Sequence, residues 1–452
     1  MRSWCISPVL LTGLVLAGCA SYSPLPLPQH AKLATSTSAF TAPVTAFETP
    51  SVHVMHVDLQ RPLDATEVAA LAVLNDPSLA AARAESGVVA AQSYAAGLLP
   101  WPQITLGAGR PDPAGTELSN PWSLSLDQNV SALLQHDPLE RATQASQAHV
   151  RLDVIWDEWQ VAQQARILYA DIEASAAERV ALEPLVKLYV GHLKAAQTRV
   201  AQGRVPQNAV LEAKAAYASL LGQLGVLEVR HANDLAALRG LLGLASEAPL
   251  RLALNDHPSP VDAKYLKKAI AALPHRRPDL MALAAVYKGV DERLRQAVAA
   301  QFPLIGVSIQ RARDPDGVIS NGLSLTLNLP FLNDARGEVA VARATRQAAH
   351  ETYQARLDEA VTEATALSAE AASLQRQLVS LRQAMGRLPP LPESTLGKVS
   401  FNTLSAYLIE RSQIVTQIAR LRGDLDQSTI ALDTLLGMPL DDNAHPHLAH
   451  SL

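Results

Sequence analysis

The chain has 452 residues, 48% of them hydrophobic but only 4% aromatic, and carries 38 Lys and Arg against 43 Asp and Glu for a formal net charge of −5. That slightly acidic balance offers no basic face for nucleic acid. Both cysteines, Cys5 and Cys19, fall within the first nineteen residues, so the remainder excludes disulfides, thiolate metal centres and cysteine nucleophiles.

Met1-Arg2 precedes an apolar run from about Pro8 to Ala17. A short positive region followed by an apolar stretch too short to span a bilayer has the order of a secretory signal; the alternative is a buried element opening a cytosolic domain. Leu16-Ala17-Gly18-Cys19 resembles a bacterial lipobox. The resemblance implies a signal peptide at 1–18, lipid on the Cys19 sulfur and an acylated amine at the new terminus. Each buried methylene contributes about 0.8 kcal/mol, and two or more chains anchor stably. Ala20, not Asp, follows Cys19, so in the lipoprotein pattern nothing holds the chain at the inner membrane. Residues 19–62 are rich in Pro, Ser and Thr, as in Ser23-Pro-Leu-Pro-Leu-Pro28, and read as a lipidated extended arm.

The chain then repeats itself. Asn75 to Gly109 is answered by Arg276 to Gln310, each with Pro and then Leu two residues on (Pro77/Leu79, Pro278/Leu280) opening a helix of about twenty residues. Both helices run to a Pro (Pro100, Pro303). Gly203-Arg-Val-Pro206 aligns with Gly397-Lys-Val-Ser400, and Leu241-Leu-Gly243 with Leu435-Leu-Gly437, at one offset of about 194 positions. The boundaries follow: a first repeat at 63–250, a linker at 251–275, a second repeat at 276–438 and a disordered tail at 439–452.

After each helix the hydrophobic period changes to two. Ile104 and Leu106, then Leu124 and Leu126, alternate with polar residues in the first repeat. Ile305, Val307 and Ile309, then Leu323, Leu325 and Leu327, do so in the second. Each predicted strand is about ten to twelve residues, enough to cross hydrocarbon at a tilt. Trp101, Trp122, Phe302 and Phe331, four of the ten Trp and Phe residues, stand at strand ends, where interfacial aromatics belong. The same alternation also fits surface hairpins laid on a helical core.

A helical pattern runs from about Leu139 to Gln202, broken by Glu183-Pro184 and Gly191; about 64 residues at 1.5 Å each reach close to 100 Å. A second runs from about Gln207 to Leu242, its counterpart starts near Ala335 and frays at Arg387, and the last spans about Thr403 to Leu436. Each repeat reads as short helix, hairpin, very long helix, turn, medium helix.

This series resembles the outer-membrane efflux protein family, of the TolC type, on Asn75-Asp76-Pro77, Arg277-Pro278-Asp279, Gly203, Gly397, Leu242-Gly243, Leu436-Gly437 and the lipobox. The resemblance implies a mainly α fold with a small β part: a homotrimer in which each protomer gives four strands to a shared twelve-stranded outer-membrane barrel, continued by a helical barrel through the periplasm. It implies a passive efflux conduit for drugs or metal ions, fed by an inner-membrane pump of the RND type (or an ABC pump) through a periplasmic adaptor. Gly203, Arg204, Val205, Pro206 and Gly397, Lys398, Val399, Ser400 would be the turns that meet the adaptor, with each Val packing on a partner helix tip. Ile104, Leu106, Leu124, Leu126, Ile305, Val307, Ile309, Leu323, Leu325 and Leu327 would face lipid; Ser123, Ser125, Asp127, Ser324, Thr326 and Asn328 would line the pore. Val88-Val-Ala-Ala-Gln92 with Ala96-Gly-Leu-Leu-Pro100 is similar to the branch serving heavy-metal exporters. The Pro-rich stretch before Gly397 and Pro184 in the longest helix depart from the family pattern.

Two rival readings stand: a periplasmic helical lipoprotein, structural or adaptor-like, without a pore, and an outer-membrane channel for type I protein secretion. No enzyme is expected, since nothing assembles a nucleophile, base and oxyanion site; paired carboxylates such as Asp157-Glu158 read as a solvated helix face. Nor is a cofactor or metal expected beyond the lipid on Cys19. The imidazoles of His445, His447 and His450, or of His53 and His56, are spaced for loose metal binding but equally for a polar tail.

Overall fold

The structure, a computed structural model, describes residues 22–37, 40, 57, 59–111, 118–254, 263–301, 304–328, 336–388 and 401–437. It divides into a unit at 1–33 and a unit at 34–452. In the first, residues 22–28 are exposed and form neither helix nor strand. Cys19, Phe302, Phe331, the turn 397–400, the tail 439–452 and the five spaced histidines lie outside the described residues.

The second unit runs through the same series of elements twice. In the first half α1 (Ala65–Asn75) and α2 (Pro77–Ala96) lead to β1 (Gln103–Ala108) and β2 (Trp122–Asn129), then α3 (Val130–Ala201) and α4 (Asn208–Leu241). In the second, α5 (Ala263–Arg276) and α6 (Pro278–Ala299) lead to β3 (Leu304–Arg313) and β4 (Ile319–Asn328), then α7 (Arg336–Arg387) and α8 (Phe401–Leu435). The duplication therefore includes an extra helix ahead of each Pro-initiated one. In the second half that helix, α5, occupies the stretch expected to be a linker. Its Ala269 and Leu273 are buried against Ala360, Ala364, Leu432 and Leu436. The front of the expected linker is also tied down, because Leu63 N–H donates to Arg251 and Ala253 N–H donates back to Leu63.

Local chemistry sets the helix starts. Asp64 caps α1 in a capping box with Glu67. Asp76 caps α2, accepting from the N–H groups of Ser78 and Leu79, with Pro77 in the first turn. Each half is closed by matched leucines: Leu238 and Leu242 pack with Leu71 and Tyr169, as Leu432 and Leu436 pack with Leu273 and Leu280. The expected arm is not wholly free, since Ala34 exchanges backbone hydrogen bonds with Gly243 and Ala245.

Two sequence expectations fail here. Pro184 does not interrupt the longest helix; α3 runs unbroken for 72 residues through Pro138 and Pro184, about 108 Å at 1.5 Å per residue. Proline removes the donor that would serve the carbonyl of residue i−4. That residue is Val180, which is exposed, while Leu182 and Leu185 on either side of the proline are buried against α4 and α8. Water can serve the freed carbonyl while the core contacts on both sides of the proline keep the helix continuous. The strands are also shorter than ten to twelve residues in the first half: β1 has 6 and β2 has 8, against 10 each for β3 and β4. Pro102 and Pro121 stand immediately before β1 and β2, where a residue without an N–H cannot extend a ladder.

Candidate functional site: one sheet with two chemistries

The four strands form a single antiparallel sheet in the order β1-β2-β3-β4. Directly opposed residues of an antiparallel pair project to the same face. Ile104 opposes Leu126 and Leu106 opposes Leu124; Leu126 in turn opposes Ile309, which opposes Leu323, with Val307 against Leu325 and Ile305 against Leu327. All ten residues expected to face lipid thus share one face of one sheet. Most are freely exposed, Leu106 at 78% and Leu323 at 76% among them. Among the described residues no helix covers this face, which counts against the reading of hairpins laid on a helical core.

The other face carries the residues expected to line a pore. Asp127 opposes Ser308, which opposes Ser324; Ser125 opposes Thr105 and Gln310; Thr326 opposes Gly306, and Asn328 opposes Leu304. Ser125 Oγ donates to Asp127 Oδ2 at 2.7 Å. A cavity of about 330 Å³ beside the helix end of the sheet is lined by Trp101, Gln103, Asp127, Ser308 and Thr326.

The alternation alone did not find what breaks the apolar face. Arg311 opposes Leu124 and Asn321, and Arg313 opposes Trp122 and Ile319. Both residues stand toward the end of the sheet away from the helices, Arg313 in the row of Trp122 and Arg311 in that of Leu124, while Trp101 precedes β1 at the helix end. Aromatics therefore bracket the apolar rows from both ends, the placement interfacial side chains take.

Within the described residues β1 and β4 each have one unpaired edge. At the helix end the sheet is tied to α3: Asn129, the last residue of β2, caps α3 by accepting from Ala132 N–H at 3.0 Å, and Ile305 N–H donates to the buried Ser131 hydroxyl at 2.6 Å.

At the far end of α3, Gly203 takes φ +67°. Its N–H donates to Val200 and that of Arg204 to Arg199, the paired bonds of a Schellman turn. Gly203, Arg204 and Pro206 are exposed. Val205 is not the free apolar tip the sequence suggested: it is partly buried against Ala196, Ala209 and Ala213 of its own hairpin.

A buried ionic group accompanies the second repeat's Arg-Pro-Asp. Arg277, wholly buried, donates from Nε (2.9 Å) and Nη2 (2.5 Å) to Asp279. Arg356 on α7 donates to the same carboxylate at 2.9 Å, and the Arg277 guanidinium lies 4.9 Å from the Trp156 ring centre. Burial pushes the Asp279 carboxyl up, but the two arginines outweigh it and hold its pKa below the usual carboxylate range. Of the paired carboxylates, Asp157 is exposed, with its pKa raised by partial desolvation, whereas Glu158 is buried and accepts from Arg83 at 2.8 and 3.0 Å, so the pair is not the wholly solvated face expected. Among the described residues no three His, Cys, Asp or Glu stand together as a metal site, and no helix is long and apolar enough to cross a membrane.

No protein-family model matches the chain, and no curated protein matches it. Solved structures do. The outer membrane protein VceC from Vibrio cholerae superposes with a TM-score of 0.68 at 16% identity over 83% of this chain and 97% of that one. The CmeC outer membrane channel of Campylobacter jejuni gives 0.67 at 15%, over 93% and 95%. CusC, a protein that folds into a transmembrane channel, gives 0.67 at 16%, over 94% and 99%. The chain has the fold of these channels: mainly helical, TolC-like, with one small four-stranded antiparallel sheet.

Proposed function

We propose that three copies of this chain close their sheets into a twelve-stranded barrel in the bacterial outer membrane, anchored by lipid on Cys19, with α3, α4, α7 and α8 continuing as a tunnel through the periplasm. The assembly is the passive outer conduit of a tripartite exporter of small solutes, drugs or metal ions. An inner-membrane pump of the RND or ABC type feeds it through a periplasmic adaptor seated at the helix turns. The observation that carries this reading is the sheet itself, with an uncovered apolar face, a polar face and two unpaired edges. Open strand edges are not tolerated in lipid. Four strands cannot close around a lumen, whereas three copies give an even, closed barrel.

The test is assembly and conductance of the full-length chain expressed in an outer membrane. Wild-type protein is expected as trimers that conduct in planar bilayers. The double variant Leu325→Arg, Leu327→Arg is expected to lose them, because a charge at the lipid midplane costs about 2–4 kcal/mol per site. Normal membrane trimers of the double variant, or a monomeric wild type without ion current, would sink the proposal and favour the pore-free lipoprotein.

A further inference from the structure

Resting on the conduit reading, we infer that Asp127 makes the barrel cation-selective. The polar face of the sheet is almost wholly neutral. The described strands place serines, threonines, asparagines, glutamines and glycines on it, with Ala312, and Asp127 as the one ionisable side chain among them. Charges elsewhere in the strands, Arg311 and Arg313, belong to the opposite face. Asp127 sits two residues before the end of β2, at the mouth where barrel gives way to helices. Its position is set by Ser125, which donates to it at 2.7 Å, and by the strand pairing with Ser308.

Threefold symmetry turns one carboxylate into a ring. Twelve strands about 4.8 Å apart and tilted by about 40° close at a radius of about 12 Å, less where side chains project inward. The Debye length is about 10 Å at 0.1 M salt and about 3 Å at 1 M. At low salt the fields of three carboxylates overlap across the whole lumen; at high salt each is confined to its own wall. Rings of acidic side chains favour cations in pores, and here no lysine or arginine on the polar face of the described strands offsets them. A hydrated or organic cation is therefore the class of solute this mouth admits most readily, and small anions are slowed.

The measurement is the reversal potential of purified, lipidated trimers in planar bilayers under a tenfold KCl gradient, about 0.01 against 0.1 M. Wild type is expected to prefer K⁺. Asp127→Asn should lower the K⁺/Cl⁻ permeability ratio about threefold or more, Asp127→Glu should retain it, and all three should converge near 1 M salt. Ser324→Arg places a cation in the same row of the sheet without touching Asp127, so it should abolish the preference even if the Asn variant folds poorly. An unchanged ratio in Asp127→Asn, or an anion-preferring wild type, overturns the inference while leaving the conduit standing. A wild type that forms no pore overturns the conduit reading instead.

Discussion

The carbonyl oxygen of Asn75 lies 3.0 Å from the position a Cβ on Gly243 would occupy. The second half repeats the relationship: a Cβ on Gly437 would stand 3.0 Å from Arg276, the residue that matches Asn75. Both glycines have positive φ, +64° and +69°. Each ends the last helix of its half and presses it onto the end of the first, so one packing solution serves both repeats. Gly243→Ala and Gly437→Ala should each destabilise by about 1–3 kcal/mol, from the left-handed backbone plus a neighbour with no room to yield. Gly222→Ala in α4, with nothing within 4 Å, should stabilise by about 0.5–1 kcal/mol. Denaturant midpoints of the three variants check the contrast.

Asp279→Asn strands a fully buried Arg277 without its anion and should cost about 3–5 kcal/mol. Arg277→Met should cost less, because Asp279 keeps Arg356 and the Leu280 N–H. Equal losses in both variants, read from urea unfolding, would contradict this account.

The same carboxylate sets a pH dependence. Its pKa is depressed in the folded chain, so the stability it contributes is present above the unfolded value of about 3.9 and is lost as pH falls through the lower folded value. The difference in stability between wild type and Asp279→Asn should therefore be constant near neutrality and shrink below about pH 4. A gap that widens with acid reverses the sign and excludes the ion pair as its cause.

Adjacent residues on β4 should behave oppositely. Leu323→Arg should cut outer-membrane trimer yield severely, at a cost of about 2–4 kcal/mol if the site sits near the bilayer midplane. Ser324→Arg should assemble. Trimer yield on unboiled gels compares them, and equal yields would mean that the two faces do not meet different solvents.

At the α3–α4 turn, Val205→Ala should lower the thermal midpoint, since Val205 packs on its own hairpin. On the proposed conduit reading, Arg204→Glu should leave the midpoint unchanged and lower the yield of a periplasmic adaptor co-purified from membranes.

The duplicated prolines, leucines and terminal glycines made most of this fold legible. Leu79 and Leu280 are both buried, and the alternating Ile, Leu and Val residues of four strands met on one face as their period required. What stayed hidden was what one-dimensional patterns do not carry. Helix α5 lies in the stretch read as a linker, yet its apolar stripe finds a core supplied by α7 and α8. Pro184 looked like a break because the sequence does not say that tertiary packing grips the helix on both sides of it. Val205 looked free because the alanines that receive it come from two different helices. Asp127 was legible as a residue of the polar face, but its solitude was not: only the register shows that every other charge of the described strands lies on the opposite face.

Strand β2 becomes helix α3 with no intervening residue, Asn129 closing one and capping the other. A joint without slack behaves as a weld. Any twist applied along the long helix near this junction is felt by β2 and, through the Ser131 tether to Ile305, by β3 as well. On the proposed conduit reading, dilation of the passage is expected toward the opposite, glycine-turned end of the rod, about 108 Å away by helix geometry, with the sheet end held by these joints.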